Sequence, residues 1–487
     1  MVRSRFAPSP TGYMTIGNLR TALYEYLIAK RDGGVFILRL EDTDQARFVE
    51  GATEAIFETL RVTGLHFDEG PGVGGDYGPY IQSERKDSYL PPALQLIANG
   101  KAYYCFCEKE RLDSLADERG LKKYDRHCLH LPADEIQARI NNGTPYVIRQ
   151  LIPEGATTFN DQVFGAITIS NDEMEDQILL KSDGMPTYNF ANVIDDNAMA
   201  ITHVVRGSEY LTSTPKYVLL YEALGWPMPI FVHLPLLQNA DGQKISKRHG
   251  AKSIVEMIDD GYLPEAIINY TAFLGWSPSG DHATREIFTL SELEQIFDTA
   301  HISRSPSTFD EKKLTWMNAE HIKALPPEQF ATLALPYLRE AVKTPDINMK
   351  ELARITQSRV SFIRDCAEMV DFIDAVPTYD TELYTHKKMK TDAAIALQGL
   401  QAALDAFTSI TADNWTHEAL HAAATQAAEA AGLKNGQILW PVRTALSGKA
   451  TTPCGGTEIA ALLGRAEALR RLEAGIALLA GKEAGER

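Results

Sequence analysis

Two short stretches, about 230 residues apart, carry the residue types that phosphate chemistry requires. Residues 244 to 248 read Lys-Ile-Ser-Lys-Arg, preceded by Asp241-Gly242-Gln243 and followed by His249-Gly250. Lysines flanking a hydroxyl, in a loop that glycines leave free to close, can gather around a polyphosphate. Upstream, Arg5-Phe-Ala-Pro-Ser-Pro-Thr-Gly12 predicts a proline-rich turn after a short strand, and Tyr13-Met-Thr-Ile-Gly-Asn18 runs into a helix that starts near Gly17. A helix start offers free backbone N–H groups and the positive end of its dipole to an anion. The two stretches together predict the halves of a triphosphate clamp.

Those halves must be held by the elements around them. Residues 3 to 6 predict a strand, and residues 17 to 32 a helix with Leu19, Leu23, Tyr26 and Leu27 on one face. Gly33-Gly34 ends the helix, and Val35-Phe-Ile-Leu-Arg-Leu40 is an apolar run of buried-strand character. This is a βαβ unit. Sites in open parallel sheets lie at the carboxyl ends of strands, so the turn after the first strand and Glu41-Asp-Thr-Asp44 after the second are expected to face one cleft. Alternation resumes at Ile201-Thr-His-Val-Val205, a helix follows over 214–224, and the lysine loop closes the unit. Beyond about 251 the pattern is mostly helical, with breaks at Pro326-Pro327 and Pro377 and a helix bundle in Ala-rich segments such as Glu418 to Ala431. The expected fold is α/β: a Rossmann-like parallel-sheet domain (1–100 and 196–250), an α+β insertion (101–195), then mainly helical regions over 251–325, 326–378 and 379–487.

Composition sets the class. At 487 residues the chain can build several cores, and 44% hydrophobic with 23% charged residues is ordinary for a soluble globular protein. Met-Val-Arg-Ser-Arg-Phe leads at once into a strand, with no signal-like segment and no later run able to span a bilayer, so a cytoplasmic protein with no membrane partner is expected. The five cysteines do not form a disulfide framework, because three of them fall together. Cys105-x-Cys107 and Cys128-x-His130 supply soft thiolates and an imidazole suited to a tetrahedral structural Zn²⁺; the alternative is three reduced core thiols. A net charge of −17 argues against a polyanionic partner unless a local basic face provides the contact.

Five motifs stand in a fixed order: Arg5 to Gly12, Leu40-Glu-Asp-Thr-Asp44, Pro186-Thr-Tyr-Asn-Phe-Ala191, Arg206-Gly-Ser-Glu209 and Lys244 to Arg248. In that order the chain resembles, over essentially its whole length, the bacterial-type glutamyl-tRNA synthetases, class I aminoacyl-tRNA synthetases whose signatures are His-Ile-Gly-His and Lys-Met-Ser-Lys-Ser. The resemblance implies ATP-dependent activation of L-glutamate, with Mg²⁺ on the triphosphate, and transfer to tRNA(Glu), with tRNA(Gln) left open. It implies a requirement for bound tRNA before activation; a monomer is expected. By the same resemblance Thr15, Gly17, Asn18, Lys244, Ser246 and Lys247 are catalytic positions. Arg5, Ala7, Ser9, Glu41, Tyr188, Asn192 and Arg206 would contact glutamate, with Arg206 on the side-chain carboxylate, whose planar fork suits that task. Gly17, Glu209, Leu237 and Lys247 would contact ATP, and Lys312, Lys313 and Arg359 tRNA. The cysteine cluster resembles the zinc site of some family members, with His130, Tyr124 or a water as fourth ligand. The departure is Thr15, where the family places a histidine. Loss of one such donor costs about 10²–10³ in rate, so the alternative expectation is a weakened tRNA-binding or regulatory paralogue.

Overall fold

The computed structural model describes residues 1–44, 49–115, 123–245 and 251–485. Strand β1 (Arg3–Phe6) pairs in parallel with β2 (Val35–Leu38), Arg3 opposite Val35 and Phe6 opposite Leu38. A parallel pair needs a crossover, and helix α1 (Ile16–Arg31) supplies it, burying Leu19, Leu23, Tyr26 and Leu27. Gly34 closes this unit tightly: a Cβ there would stand 2.3 Å from the Val2 carbonyl oxygen.

The stretch expected as an insertion contributes β3 (Ala102–Cys105), β4 (Val147–Gln150), the hairpin β5 (Ala156–Asp161) and β6 (Gly165–Ser170), β7 (Ile178–Leu180) and helix α2 (Tyr188–Ala198). Strands β3, β4 and β7 form a separate antiparallel sheet. The catalytic half then resumes with β8 (His203–Gly207), helix α3 (Thr214–Leu224) and β9 (Ile230–Leu234), a second parallel crossover. The β5–β6 hairpin departs from the sequence-based layout, because β5 joins β9 in parallel and extends the catalytic sheet in the order β6-β5-β9-β8. A long-range contact holds it there: the buried Asp161 carboxylate accepts both the His233 backbone N–H (3.0 Å) and the His233 ring Nδ1–H (2.7 Å). Strand β1 lies beside β8, where Thr202 N–H donates to the Arg3 carbonyl at 2.9 Å. Phe190 of α2, Leu220 of α3, Val204 and Phe231 share one core, each such side chain contributing about 1.5–3 kcal/mol on full burial.

The chain divides into two compact units, Met1–Met317 and Asn318–Arg487. The second is helical throughout its described residues. In it, helix Ala393–Thr408 packs against His417–Ala430, Asn435–Ser447 and Arg465–Gly485, and Gly399 lets two of these meet, since a Cβ there would lie 2.3 Å from the Gln437 carbonyl oxygen. Arg471, 2% exposed, donates to the carbonyls of Phe372, Ile373 and Leu446 at 2.7–2.8 Å. Among the described residues no helix is long and apolar enough to cross a membrane.

Candidate active site

A cleft of about 510 Å³ opens where the carboxyl ends of β1, β8 and β9 meet the start of α1. It brings together Arg5, Ala7, Ser9, Thr15, Gly17, Asn18, Tyr188, Arg206, Glu209, Leu237 and Lys244. Glu41 and Asn192 are buried and do not line it directly. Ser246 and Lys247 lie outside the described residues. The chain on either side of them is tied to the cleft: Lys244 and Ile245 line it, Ser253 bridges Thr15, and Ile254 N–H donates to the Met14 carbonyl at 2.9 Å.

Beneath the cleft lies a buried charge network. Arg5 makes a bidentate pair with Asp196 (2.9 and 3.1 Å) and reaches Glu25 at 3.2 Å. Arg39 pairs with Asp196 at 2.8 Å and with Glu41 at 2.9 Å. Burial alone would raise the Asp196 carboxyl, but Arg5 and Arg39 outweigh it and bring Asp196 down to about 2. Burial raises Glu41 despite Arg39 and Arg5, and lifts Glu25 to about 8. A second carboxylate at the end of α2, Asp195, is held by Arg85 (2.6 Å), Gln82 and Tyr89 (2.9 Å each).

Arg206 is built differently. At 7% exposure, on the end of β8, its guanidinium lies over the rings of Tyr217 (4.7 Å) and Tyr210 (5.4 Å). Among the described residues its Nη1 has no hydrogen-bond partner, and neither do Asn192 Oδ1 or Glu41 Oε2. Desolvated donors and acceptors left unpaired cost about 1–3 kcal/mol each; Arg206 lines the cleft, where a ligand can reach it, while Glu41 and Asn192 lie buried behind, and Arg20 Nε, Arg39 Nε and Glu25 Oε2 are unpaired nearby as well. One cationic donor with two acceptors complements a carboxylate and an ammonium.

At the other side of the cleft Lys244 Nζ pairs with Glu209 at 2.7 Å and holds that carboxyl below its ordinary range against the cost of burial. Gly207 makes room for it: a Cβ there would come within 2.0 Å of Glu209 Oε2. Arg20, which the sequence did not single out, also lines the cleft and donates to the carbonyls of Pro235 (2.7 Å) and Leu274 (3.1 Å), fixing the strand end that carries Leu237. Tyr210 and Tyr217 were likewise not foreseen. Neither sits at a spacing from Arg206 that periodicity would reveal.

The sulfurs of Cys105, Cys107 and Cys128 lie within 4.8 Å of one another, with Cys107 and Cys128 at 3.5 Å. Thiolates about 2.3 Å from a tetrahedral zinc stand roughly 3.8 Å apart, so the set fits that ion. Tyr124 Oη stands among them, 3.2 Å from Cys105 and 3.4 Å from Cys107, whereas His130 is exposed and outside the group. Lys312 is exposed, Lys313 pairs with Glu286 at 2.7 Å, and Arg359 is exposed after helix Met349–Gln357.

Comparison with known proteins is decisive. Residues 1–316 match the catalytic domain of class I tRNA synthetases (E and Q), and residues 329–476 match an anticodon binding domain. Glutamate–tRNA ligases from Clostridium botulinum and Lachnoclostridium phytofermentans are each 52% identical, covering 98% of this chain and 99% and 98% of theirs. The chain belongs to the glutamate–tRNA ligase family of class I synthetases. Crystal structures of family members from Elizabethkingia meningosepticum and Elizabethkingia anophelis superpose with TM-scores of 0.86 and 0.85 at 34% identity, over 98% of this chain and 99% of each of theirs. These relatives give no support to the alternative of a weakened paralogue.

Proposed function

We propose that this chain joins L-glutamate to tRNA(Glu) in two steps within the one cleft. The α-carboxylate oxygen of glutamate attacks the α-phosphorus of ATP, pyrophosphate leaves, and the resulting adenylate passes its acyl group to a terminal ribose hydroxyl of tRNA as AMP departs. The observation that carries this reading is Arg206, a buried cation facing the cleft that, among the described residues, is ion-paired with no carboxylate and has an unpartnered Nη1. The substrate side-chain carboxylate supplies that partner, with Arg5, Ala7, Ser9, Tyr188, Asn192 and Glu41 around the rest of the amino acid. Glutamine, lacking the charge, leaves the guanidinium buried and unneutralised.

No side-chain nucleophile is needed. Catalysis rests on positioning and on cations at the oxygens where charge grows, with Gly17 at the helix start, Glu209 and Leu237 on the nucleoside side, and Lys244, Ser246 and Lys247 over the phosphates. Mg²⁺ enters with ATP and offsets charge on the pyrophosphate. Lys312, Lys313 and Arg359 contact tRNA, in stem-contact (251–325) and anticodon-binding (326–378 and 379–487) regions. Cys105, Cys107 and Cys128 would hold a structural Zn²⁺, with the Tyr124 hydroxyl beside their sulfurs; metal analysis of the purified protein beside Cys107→Ser tests it, and no zinc in the parent protein ends that part. The main test is glutamate-dependent ATP–pyrophosphate exchange with and without tRNA. Exchange that appears on adding tRNA(Glu) supports the reading, and tRNA binding with no exchange under any condition overturns it. Charging assays with tRNA(Glu) and tRNA(Gln) then define the acceptor.

A further inference from the structure

A buried hydrogen-bonded chain runs beside Arg206. Arg206 and His233 are register partners on the neighbouring parallel strands β8 and β9. Asp161 fixes the His233 ring: its Oδ1 accepts the backbone N–H groups of Val163 (2.9 Å) and Phe164 (2.8 Å), and its Oδ2 accepts both His233 donors. With Nδ1 the donor to a carboxylate, the other ring nitrogen decides what the imidazole can do. Burial holds the imidazole below its ordinary range against the pull of Asp161, with the Arg206 charge acting the same way as burial. Nε2 is therefore an acceptor. Facing it at 3.1 Å is Oγ1 of Thr214, and both side chains are fully buried. The one hydroxyl proton reaches two acceptors, Nε2 and the Tyr210 carbonyl at 2.9 Å. That carbonyl has a second donor in the Ser213 N–H at 3.0 Å, whereas Nε2 has no other among the described residues.

Thr214 opens α3, and its place there matters for Arg206. Tyr210 stands four residues before it and Tyr217 three after, so the two rings flank it at helical neighbour spacing. Both rings lie over the Arg206 guanidinium, at 5.4 and 4.7 Å. The far end of one of them is also tied down, because Tyr217 Oη donates to Asn189 Oδ1 at 2.7 Å. Ring faces set the plane of a guanidinium, so where the rings stand decides where its fork points. We propose that His233 is a positioning residue for substrate recognition: by taking the Thr214 hydroxyl it sets the start of α3, and with it the Tyr210 and Tyr217 rings that aim Arg206 at the glutamate side-chain carboxylate. The proposal rests on the assignment of Arg206 to that carboxylate above. Asp161 gives the β5–β6 hairpin a part in the same task, since it holds the His233 ring in the tautomer that leaves Nε2 open to Thr214.

The test is tRNA-dependent ATP–pyrophosphate exchange by the full-length chain and four variants, with KM for glutamate and KM for ATP resolved separately and the melting temperature of each measured. Thr214→Val removes only the hydroxyl and is expected to raise KM for glutamate about tenfold, leaving KM for ATP as it was. Thr214→Ser keeps the hydroxyl and is expected to stay near the parent. His233→Leu removes the acceptor while Asp161 keeps its three backbone donors, and it is expected to match Thr214→Val. In the double variant Thr214→Val/His233→Leu neither position leaves the other unpaired, so the melting temperature should recover toward the parent. KM for glutamate should nevertheless stay about tenfold raised, because the anchor of the two rings is gone. A KM for glutamate that recovers with the melting temperature, or that rises in step with KM for ATP, would make the contact merely structural and overturn the proposal. An unchanged KM for glutamate in Thr214→Val would overturn it as well. Absence of exchange in the unmodified chain, or full activity in Arg206→Met, would instead strike the reading on which it rests.

Discussion

Arg39 and Arg206 are both buried arginines near the carboxyl ends of β2 and β8, the strands on either side of β1, yet their surroundings are opposite. Arg39 is enclosed by Asp196 and Glu41 at 2.8 and 2.9 Å. Arg206 has aromatic faces on two sides and an unpartnered Nη1. Burying a charge is costly unless it is paired, so the first arrangement has its charge neutralised within the protein, and the second, among the described residues, has no ion-paired carboxylate and faces the cleft. The contrast separates residues that hold the cleft together from residues that recognise what enters it. Identity and burial alone would not distinguish them.

The contrast can be broken at several points. The largest effect is expected from Arg39→Met, which leaves buried Glu41 without its arginine and Asp196 with Arg5 alone and should cost about 3–5 kcal/mol of stability; chemical denaturation measures it, and a neutral result would show the network is not structural. Acid should act on the same network. The Asp196 carboxyl sits at about 2 in the folded chain, against roughly 3.9 unfolded. Its contribution is therefore present above about pH 4 and lost as pH falls toward 2, a change of roughly 2–3 kcal/mol. Asp196→Asn should remove that acid dependence from unfolding curves. Gly207→Ala should displace the Glu209 carboxylate, whose oxygen lies where the new Cβ would be, and raise KM for ATP about tenfold with little change in folding. The smallest effect is expected from Thr15→His, which adds an imidazole donor at the helix start but removes the hydroxyl bonded to Asn18, so the exchange rate should rise by no more than about tenfold, short of the roughly 10²–10³ of a lone donor; an unchanged rate would show that the imidazole adds nothing at this position.

Much of this was legible in the sequence, for identifiable reasons. The β1-α1-β2 unit announces itself through local periodicity and Gly33-Gly34, and α3 falls on the residues its pattern predicts, 214–224. The cleft residues were reachable because the motifs carrying them sit at strand ends, where such sheets place their chemistry. The β5–β6 hairpin was not legible as part of the catalytic sheet, since its deciding contact joins Asp161 to His233, 72 residues on. Arg39 did leave a signal, an arginine inside the apolar run Val35 to Leu40, which is the mark of a buried pair. The geometry of the cysteine cluster depends on the turn at Arg126, with φ of 58°. Spacing suggested His130, but Tyr124 is what the turn leaves beside the sulfurs.

The account stands or falls on Arg206. Glutamate-dependent ATP–pyrophosphate exchange, with tRNA(Glu) present, should be compared between the unmodified chain and Arg206→Met, alongside the melting temperature of each. The expected result is a loss of about 10³–10⁴ in kcat/KM for glutamate with melting unchanged or raised, since among the described residues no carboxylate loses an ion-pair partner. Full exchange activity in Arg206→Met would contradict the assignment of this side chain as the group that recognises the substrate carboxylate.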